Sequence, residues 1–556
     1  MGTRSLLLPF TPMSRSLHAL IAFSFISVCL SASADEWRSR SIYQLVTDRF
    51  AVSNDTGFGG YCDTSWRSYC GGSWLGITQH LDYIQDMGFD AIWISPIVEN
   101  IGDRTFYGDA YHGFWTKNIS SLNPHFGTPD DLKDLASALH ARGMYLMVDV
   151  VANHLATTLR PGTDGSSSDD FDFSGLWPFS SSSYFHPICW FGWLQGPEYV
   201  GQWEQEQCWL GDKNVALVDL NTEDLKVVAT MYDWISALVK DYGIDGIRID
   251  TVKHIRKDFW PGFLEAAGVF SIGEVYTQDV GYMTEYTHVV DSVIDYPAWF
   301  PLHRGFKSTQ GSLSALVDVA TAAQKFYKQG SFMTGSFLEN HDLPRFQSVT
   351  DDLSLVKNAI TWSFVTDGIP ILYYGQEQGY QGYLDPANRE ALWLSGYQTS
   401  DKPLMDHVKI LNSARKFAIS SNSSFLTTPM SFIPQDTDKL IAISKPPLLT
   451  LLTNVGRTGS ATWKVPGVFN ASQELIDVLT CTGYAVDQDA SLTVSCNDGS
   501  PKILMLSEAA KHFCPKHDAE GVYAIRGGHR GEAQLYGKTM RETIGIALRM
   551  LFGWLV

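Results

Sequence analysis

Three acids, Asp250, Glu274 and Asp342, each close a short apolar run. The runs end Arg248-Ile-Asp250, Gly273-Glu274 and Glu339-Asn340-His341-Asp342, and a fourth ends Asp149-Val-Val-Ala-Asn153-His154. A lone acid at such a place is ordinarily a helix cap or a solvated loop residue. Four strand ends that share one mouth would instead gather Asp250, Glu274 and Asp342 beside Arg248, His154 and His341. Two carboxyl groups flanking an acetal can cleave it: one, ionised, attacks the anomeric carbon, and the other, protonated, gives the leaving oxygen its proton. Like charges in one pocket raise one carboxyl pKa and so separate these roles. A guanidinium next to Asp250 would keep that carboxylate ionised and aimed. No serine–histidine pair, reactive cysteine or phosphate loop competes for the chemistry.

The elements that must position these groups follow from hydrophobic period. Short apolar runs at 41–48, 91–96, 145–151, 246–250, 270–275, 292–295, 336–339 and 371–374 read as strands. Between them lie segments of helical period, among them 128–142, 223–242 and 353–366. Eight strands alternating with helices predict an α/β chain whose leading architecture is a (β/α)8 TIM barrel, with chemistry at the C-terminal strand ends. An open doubly wound sheet is the alternative, although no GxGxxG turn follows the first strand. From 153 to 221 there is no helical period but much Ser, Gly and Trp, too long for a loop and read as a small domain inserted after the third strand. Beyond 424 the pattern turns to strand-like pieces at 439–444, 448–454 and 502–506, which predict a C-terminal antiparallel β-sandwich. The expected division is a leader at 1–34, the barrel at 35–152 and 222–424, the insert at 153–221, the C-terminal domain at 425–514 and a tail of unknown role at 515–556.

Composition sets the class. Over 556 residues, 44% hydrophobic and 18% charged, a large core can be buried and disorder is excluded as the main state. The net charge of −19 would repel phosphate backbones and anionic membranes, so nucleic acid is excluded as a partner. With 17 Trp, 24 Tyr and 30 Phe the chain is rich in rings that pack cores and also stack on flat, neutral ligands. Arg4 and Arg15, the apolar stretch 17–30 and Ala32-Ser33-Ala34 have the order of a secretory signal peptide cleaved after Ala34. A secreted, extracellular monomer with no transmembrane segment in the mature chain is expected; a spanning helix at 17–30 is the rival reading. Removing the leader takes Cys29 and leaves an odd number of cysteines. Short-range bridges Cys62–Cys70, Cys189–Cys208 and Cys481–Cys496 suggest themselves, with Cys514 left over. Sequons begin at Asn54, Asn118, Asn422 and Asn470. The end of the tail, 544–556, is apolar but short and broken by Arg549, which favours an extension over a lipid-anchor signal.

The motifs then resemble a known family. Asp149-Val-Val-Ala-Asn153-His154, Gly246-Ile-Arg-Ile-Asp250-Thr-Val-Lys253-His254, Gly273-Glu274-Val and Phe337-Leu-Glu-Asn340-His341-Asp342 look like the four ordered motifs of the α-amylase family of glycoside hydrolases. With Tyr107-Gly-Asp-Ala-Tyr-His112-Gly, Cys208-Trp-Leu-Gly-Asp and Asn388-Arg389-Glu-Ala-Leu-Trp-Leu-Ser-Gly396, the likeness extends over roughly residues 37–514 and is greatest to secreted fungal enzymes of the Taka-amylase type.

The resemblance implies an endo-acting, retaining hydrolase of α-1,4-glucans such as starch, glycogen and maltooligosaccharides. Asp250 would be its nucleophile, Glu274 its general acid/base, and Asp342 the acid that orients ring hydroxyls. It implies sugar contacts by Arg248, His154, His341, His112, Lys253, Tyr107 and Trp115, with Asp385 and Arg389 closing the non-reducing end. It also implies a Ca²⁺ ion held by the Asn153 side chain, the Asp219 carboxylate and the main-chain carbonyls of Glu206 and His254, a hard oxygen shell. Two departures stand beside the cleft: Phe114 where near relatives carry Tyr, and a short Val-Tyr276-Thr-Gln-Asp-Val after Glu274 that lacks their cysteine pair. They leave open a glucanotransferase acting on cell-wall or storage α-glucan; a non-catalytic binding homologue is disfavoured because all three acids are present.

Overall fold

Eight short strands close into one parallel barrel: β1 (Ile42–Leu45), β2 (Ala91–Ile94), β3 (Tyr145–Val150), β4 (Gly246–Ile249), β5 (Phe270–Gly273), β6 (Ser292–Ile294), β7 (Thr334–Ser336) and β8 (Ile369–Tyr373). Each pairs with its neighbour in chain order, and β1 closes the ring on β8 through Ile42↔Ile371 and Gln44↔Tyr373. The structure, a computed structural model, describes residue 2 and residues 33–54, 60–192 and 201–514. The expected leader, apart from its last residues, and the tail 515–556 lie outside the described residues.

The barrel strands are short, buried and rich in Ile, Val and Leu, as a sheet covered on both faces requires. The interior is filled by side chains: a Cβ on Gly335 would come within 2.6 Å of Ile272 Cδ1 and Ile371 Cδ1. A glycine there gives the two isoleucines their space. At the opposite end of the strands Trp37 stacks on Phe270 at 5.0 Å, over a Gly246 whose added Cβ would meet its ring at 2.7 Å. The outer helices are set by caps and by one apolar face. Pro129–Ala141 starts from a capping box between Thr128 and Asp131, with Pro at its first turn, and buries Leu132, Leu135, Ala136 and Leu139. That spacing is one helical stripe, and truncating a leucine in it to Ala should cost about 2–5 kcal/mol. Leu225–Tyr242 runs from an Asp224 cap to a left-handed Gly243.

Two excursions rise from the barrel. After β2 comes an antiparallel pair, Val98–Asn100 with Thr116–Leu122, which was not read from the sequence. After β3 comes a three-stranded antiparallel sheet of His154–Thr157, Val215–Asp219 and Leu210–Asp212, joined by Cys189–Cys208. The C-terminal region holds a six-stranded antiparallel sheet and a facing pair, Ala461–Pro466 with Ser491–Cys496. Trp463, Leu449, Leu451, Leu475, Val494 and Leu504 fill the space between them as in a sandwich. The six-stranded sheet's other face shares the barrel's hydrophobic core through Ile441, Ile443, Leu452, Ile503 and Met505, and buried polar contacts add to the attachment: Lys445 pairs with Asp367, and Asn358 Oδ1 accepts from Thr453 N at 2.8 Å.

One expected bridge is corrected. Cys62–Cys70 and Cys189–Cys208 form, but Cys481 joins Cys514, and Cys496 is a buried free thiol. The reason lies in the strand alternation: Leu492, Val494 and Cys496 are the inward-facing residues of Ser491–Cys496, so the thiol points into the sandwich core. Cys481 sits at the hairpin turn after Glu474–Asp477 and meets the chain just past the helix Ser507–Ala510. No helix of the described residues is long and apolar enough to cross a membrane.

Candidate active site

The C-terminal ends of β3, β4 and β5 meet at one guanidinium. Arg248, on β4 and without exposed surface, points Nη1 at Asp149 Oδ1 and at Asp250 Oδ1, both 2.8 Å away. Its Nη2 is 2.9 Å from Glu274 Oε2. Neighbouring registers in a parallel sheet explain the meeting: Asp149 pairs with Arg248, and Arg248 pairs with Ile272, two residues before Glu274. Trp93 Nε1 takes the second oxygen of Asp149 at 3.1 Å, so Asp149 is fully engaged in holding the arginine. Asp250 Oδ2 receives the Thr251 hydroxyl at 3.2 Å.

Glu274 is held differently. Thr251 N donates to Oε2 and the Tyr296 hydroxyl to Oε1, each at 3.2 Å, and Asn340 Nδ2 in turn donates to Tyr296 at 3.0 Å. Burial raises its pKa above the ordinary glutamate range; Arg248 opposes that rise and the negative Asp250 adds to it. The Arg248 guanidinium is raised well above its usual value: burial works against the charge, and Asp149, Glu274 and Asp250 overcome it. The pocket therefore keeps one cation fixed among acids, and burial biases both Asp149 and Glu274 toward their protonated forms.

Asp342, past the end of β7, faces this group. Burial pushes its carboxyl up to about 7, with Arg389 pulling the other way from 3.3 Å. His341 Nε2 is 3.1 Å from Asp342 Oδ2, while Gln44 Nε2 donates to Nδ1 of the same ring at 3.0 Å. Burial depresses the His341 pKa, so the ring is neutral with its proton on Nε2, toward the acid. Phe114 stacks flat on His341, ring centres 4.9 Å apart and planes 8° off parallel.

The remaining expected residues fall around this centre. His112 is buried with Trp115 edge-on at 4.6 Å, and Tyr107 donates its hydroxyl to Asp212 of the inserted sheet. His154 has no exposed surface, and its Nε2 faces the Phe114 carbonyl at 3.4 Å, so it stands behind the pocket wall. Lys253 reaches Tyr276 O at 3.1 Å, and burial lowers its pKa to about 8. Asp385 is paired with Arg389 at 2.9 Å and with Arg67 at 2.8 Å; the two arginines outweigh burial and hold its carboxyl below the usual range. Arg67, Tyr296 and Asp149 were not singled out as site residues in the sequence. Asp149 and Tyr296 had a signal, since both stand at or next to a barrel strand's C-terminal end; Arg67, inside the Cys62–Cys70 loop, had none.

An oxygen-rich spot lies just past the end of β3. Asn153 Oδ1 and Asp219 Oδ1 are both buried without a hydrogen-bond partner, although His154 pairs with Asp219 in the sheet. Burial pushes the Asp219 carboxyl up to about 7, with His186 at 2.6 Å working against that. The short helix Gln202–Gln207, which carries Glu206, is docked on the segment that follows Asp250: Gln205 O faces His254 Nδ1 at 2.9 Å, and Gln205 Nε2 donates to Lys253 O. Among the described residues no three His, Cys, Asp or Glu side chains gather as a metal cluster. Two orphaned, buried side-chain oxygens are donors of another kind, suited to a hard cation.

Known proteins agree with this geometry. The family described as "Alpha amylase, catalytic domain" matches residues 44–423, and "Alpha-amylase, domain C" matches residues 435–520. The alpha-amylase of Saccharomycopsis fibuligera is 44% identical over 486 residues, 87% of this chain and 94% of that protein. Alpha-amylase 1 of Schwanniomyces occidentalis is 44% identical over 504 residues, 88% of this chain and 95% of its own. The solved alpha-amylase of Malbranchea cinnamomea superposes with a TM-score of 0.81 at 43% identity, covering 87% of this chain and 99% of that one. An eight-stranded barrel with an acid-lined mouth, an antiparallel C-terminal sandwich and these likenesses lead to one conclusion: the chain belongs to the alpha-amylase family of glycoside hydrolases.

Proposed function

We infer that the chain is a secreted, endo-acting hydrolase that cleaves α-1,4-glucosidic bonds with retention of configuration. The observation that carries this reading is the pair Asp250 and Glu274 on the two arms of one guanidinium. That arrangement favours the short carboxyl spacing, about 5–5.5 Å, of a double displacement over the ~6.5–9.5 Å that leaves room for a water. In this reading Asp250, aimed by Arg248 at 2.8 Å, attacks the anomeric carbon. Glu274, biased toward its acid form, protonates the leaving oxygen and then, as base, activates the water that releases the product. Asp342, with His341 and Arg389 beside it, receives the ring hydroxyls, which strengthens its hold as the sugar ring flattens. His112, Tyr107 and Trp115 shape the sugar-binding wall, Lys253 the leaving-group side, and Asp385 with Arg389 the non-reducing end; His154 supports from behind Phe114.

Calcium fits this chain through Asn153 and Asp219 side-chain oxygens with Glu206 and His254 carbonyls. When bound it supplies positive charge to two orphaned buried oxygens and ties the insert to the barrel next to Asp250. The leader pattern and three disulfides support an oxidising, extracellular destination, and a complete site within one chain supports a monomer. A product profile on maltooligosaccharides tests the reading: hydrolysis shortens the mean chain with time, and products longer than the donor would replace it with transfer. Phe114 is the observation that favours the transferase reading, because an apolar ring against His341 makes the pocket less hospitable to water.

A further inference from the structure

A line of ion pairs climbs out of the pocket on the side of Asp385. It runs from Asp342 to Arg389 at 3.3 Å, from Arg389 to Asp385 at 2.9 Å and from Asp385 to Arg67 at 2.8 Å. Side-chain exposure rises along it, from 7% at Asp342 through 12% at Asp385 to 27% at Arg67. At its upper end stand two aromatic residues in open solvent, Trp66 at 55% exposure and Tyr61 at 75%.

The backbone beneath these rings is fixed. Cys62–Cys70 closes the loop, Asp63 caps its single turn at Ser65 N, and Arg104 Nη2 donates to Trp66 O at 2.6 Å. Asp109 N donates to Arg67 O at 2.8 Å, which ties the loop to the segment that carries Tyr107 and His112. The rings themselves touch only edge to face, with centres 5.9 Å apart and planes at 78°. Beyond that contact each residue keeps more than half of its surface in solvent. Large apolar faces held in solvent on a rigid loop, continuous with a polar cleft, are a binding surface in want of a ligand.

We propose that Tyr61 and Trp66 form an outer stacking site for a glucosyl unit of a long α-glucan chain whose scissile bond lies at Asp250 and Glu274. The occupant follows from continuity: a chain lying along Asp342, Arg389 and Asp385 reaches Arg67, the chain neighbour of Trp66, and the apolar face of a sugar ring suits an exposed indole. This rests on the α-glucan reading above. A site so far from the reacting bond binds substrate and transition state alike, so it acts on KM for long chains and leaves kcat alone.

The test compares maltotriose, too short to span from the reacting acids to the rim, with maltoheptaose. For Trp66→Ala, KM for maltoheptaose should rise about three- to tenfold, the range of one aromatic stacking contact, with kcat unchanged. Both constants for maltotriose should stay at wild-type values, which also reports an intact fold, and Trp66→Phe should restore most of the affinity for maltoheptaose. Equal changes on both substrates, or none on maltoheptaose, would overturn the outer site while the hydrolase reading stood. A wild-type protein that cleaved neither substrate would overturn that reading, and the outer site with it.

Discussion

Arg248 lies 2.9 Å from Glu274 and, through its other arm, 2.8 Å from Asp250. A cation that close would by itself lower a glutamate's pKa, yet burial is the larger effect and Glu274 ends above the ordinary range. The same arginine thus holds both carboxyl groups, and at Glu274 burial outweighs its pull.

Glu274→Gln should fold and bind maltooligosaccharide but turn over at least about 10²–10⁴ times more slowly, because an amide cannot donate the proton. Steady-state kcat and a binding titration of the same variant check this together. Near-normal kcat would remove Glu274 from the mechanism.

The alkaline limb of the pH–rate profile should follow deprotonation of Glu274. The active form is the acid, so activity is present below its raised pKa and is lost as pH rises through it. The Tyr296 hydroxyl, 3.2 Å from Oε1, stabilises the carboxylate and lowers that pKa. Tyr296→Phe should therefore move the alkaline limb to higher pH, and kcat/KM measured against pH shows the direction.

Calcium removal should lower the melting temperature, and re-addition should restore it. An ion bound by the folded state alone adds about 2.7 kcal/mol at a free concentration of 100 Kd. Asn153→Ala, which deletes one of the two orphaned oxygens, should blunt the response of melting temperature to calcium in calorimetry.

Alkylation in denaturant without reductant should label Cys496 alone among residues 35–514, and peptide mapping should recover Cys481 linked to Cys514. Cys514→Ser opens a bridge with a sequence separation of 33 and should cost ~3–4 kcal/mol on the chain-entropy scale. Cys496→Ala, with no bridge to lose, should leave that linkage intact.

Much of this architecture could be read from residue patterns because each barrel strand is a short apolar run with a polar group at its exit. The exception is instructive. The seventh strand was expected at 336–339 on the apolar Phe337-Leu338, whereas the ladder runs Thr334–Ser336. Small residues win there because Ile272 and Ile371 already fill the barrel interior around Gly335. The acids were legible as strand-end residues, and Asp250, Glu274 and Asp342 do converge. Arg67 was not, since its partner Asp385 is 318 residues away and no local pattern links them. Nearness in sequence favours Cys496 as the partner of Cys481, whereas the alternation Leu492, Val494, Cys496 turns that thiol into the core and leaves Cys514 to form the bridge.

The most direct measurement is the configuration of the first product. Two displacements, by Asp250 and then by water, each invert the anomeric carbon, so an α-linked glucan must release an α-anomer. Proton NMR during early hydrolysis, before mutarotation, should show the α-anomer first; an initial β-anomer would contradict both the assigned nucleophile and the retaining mechanism.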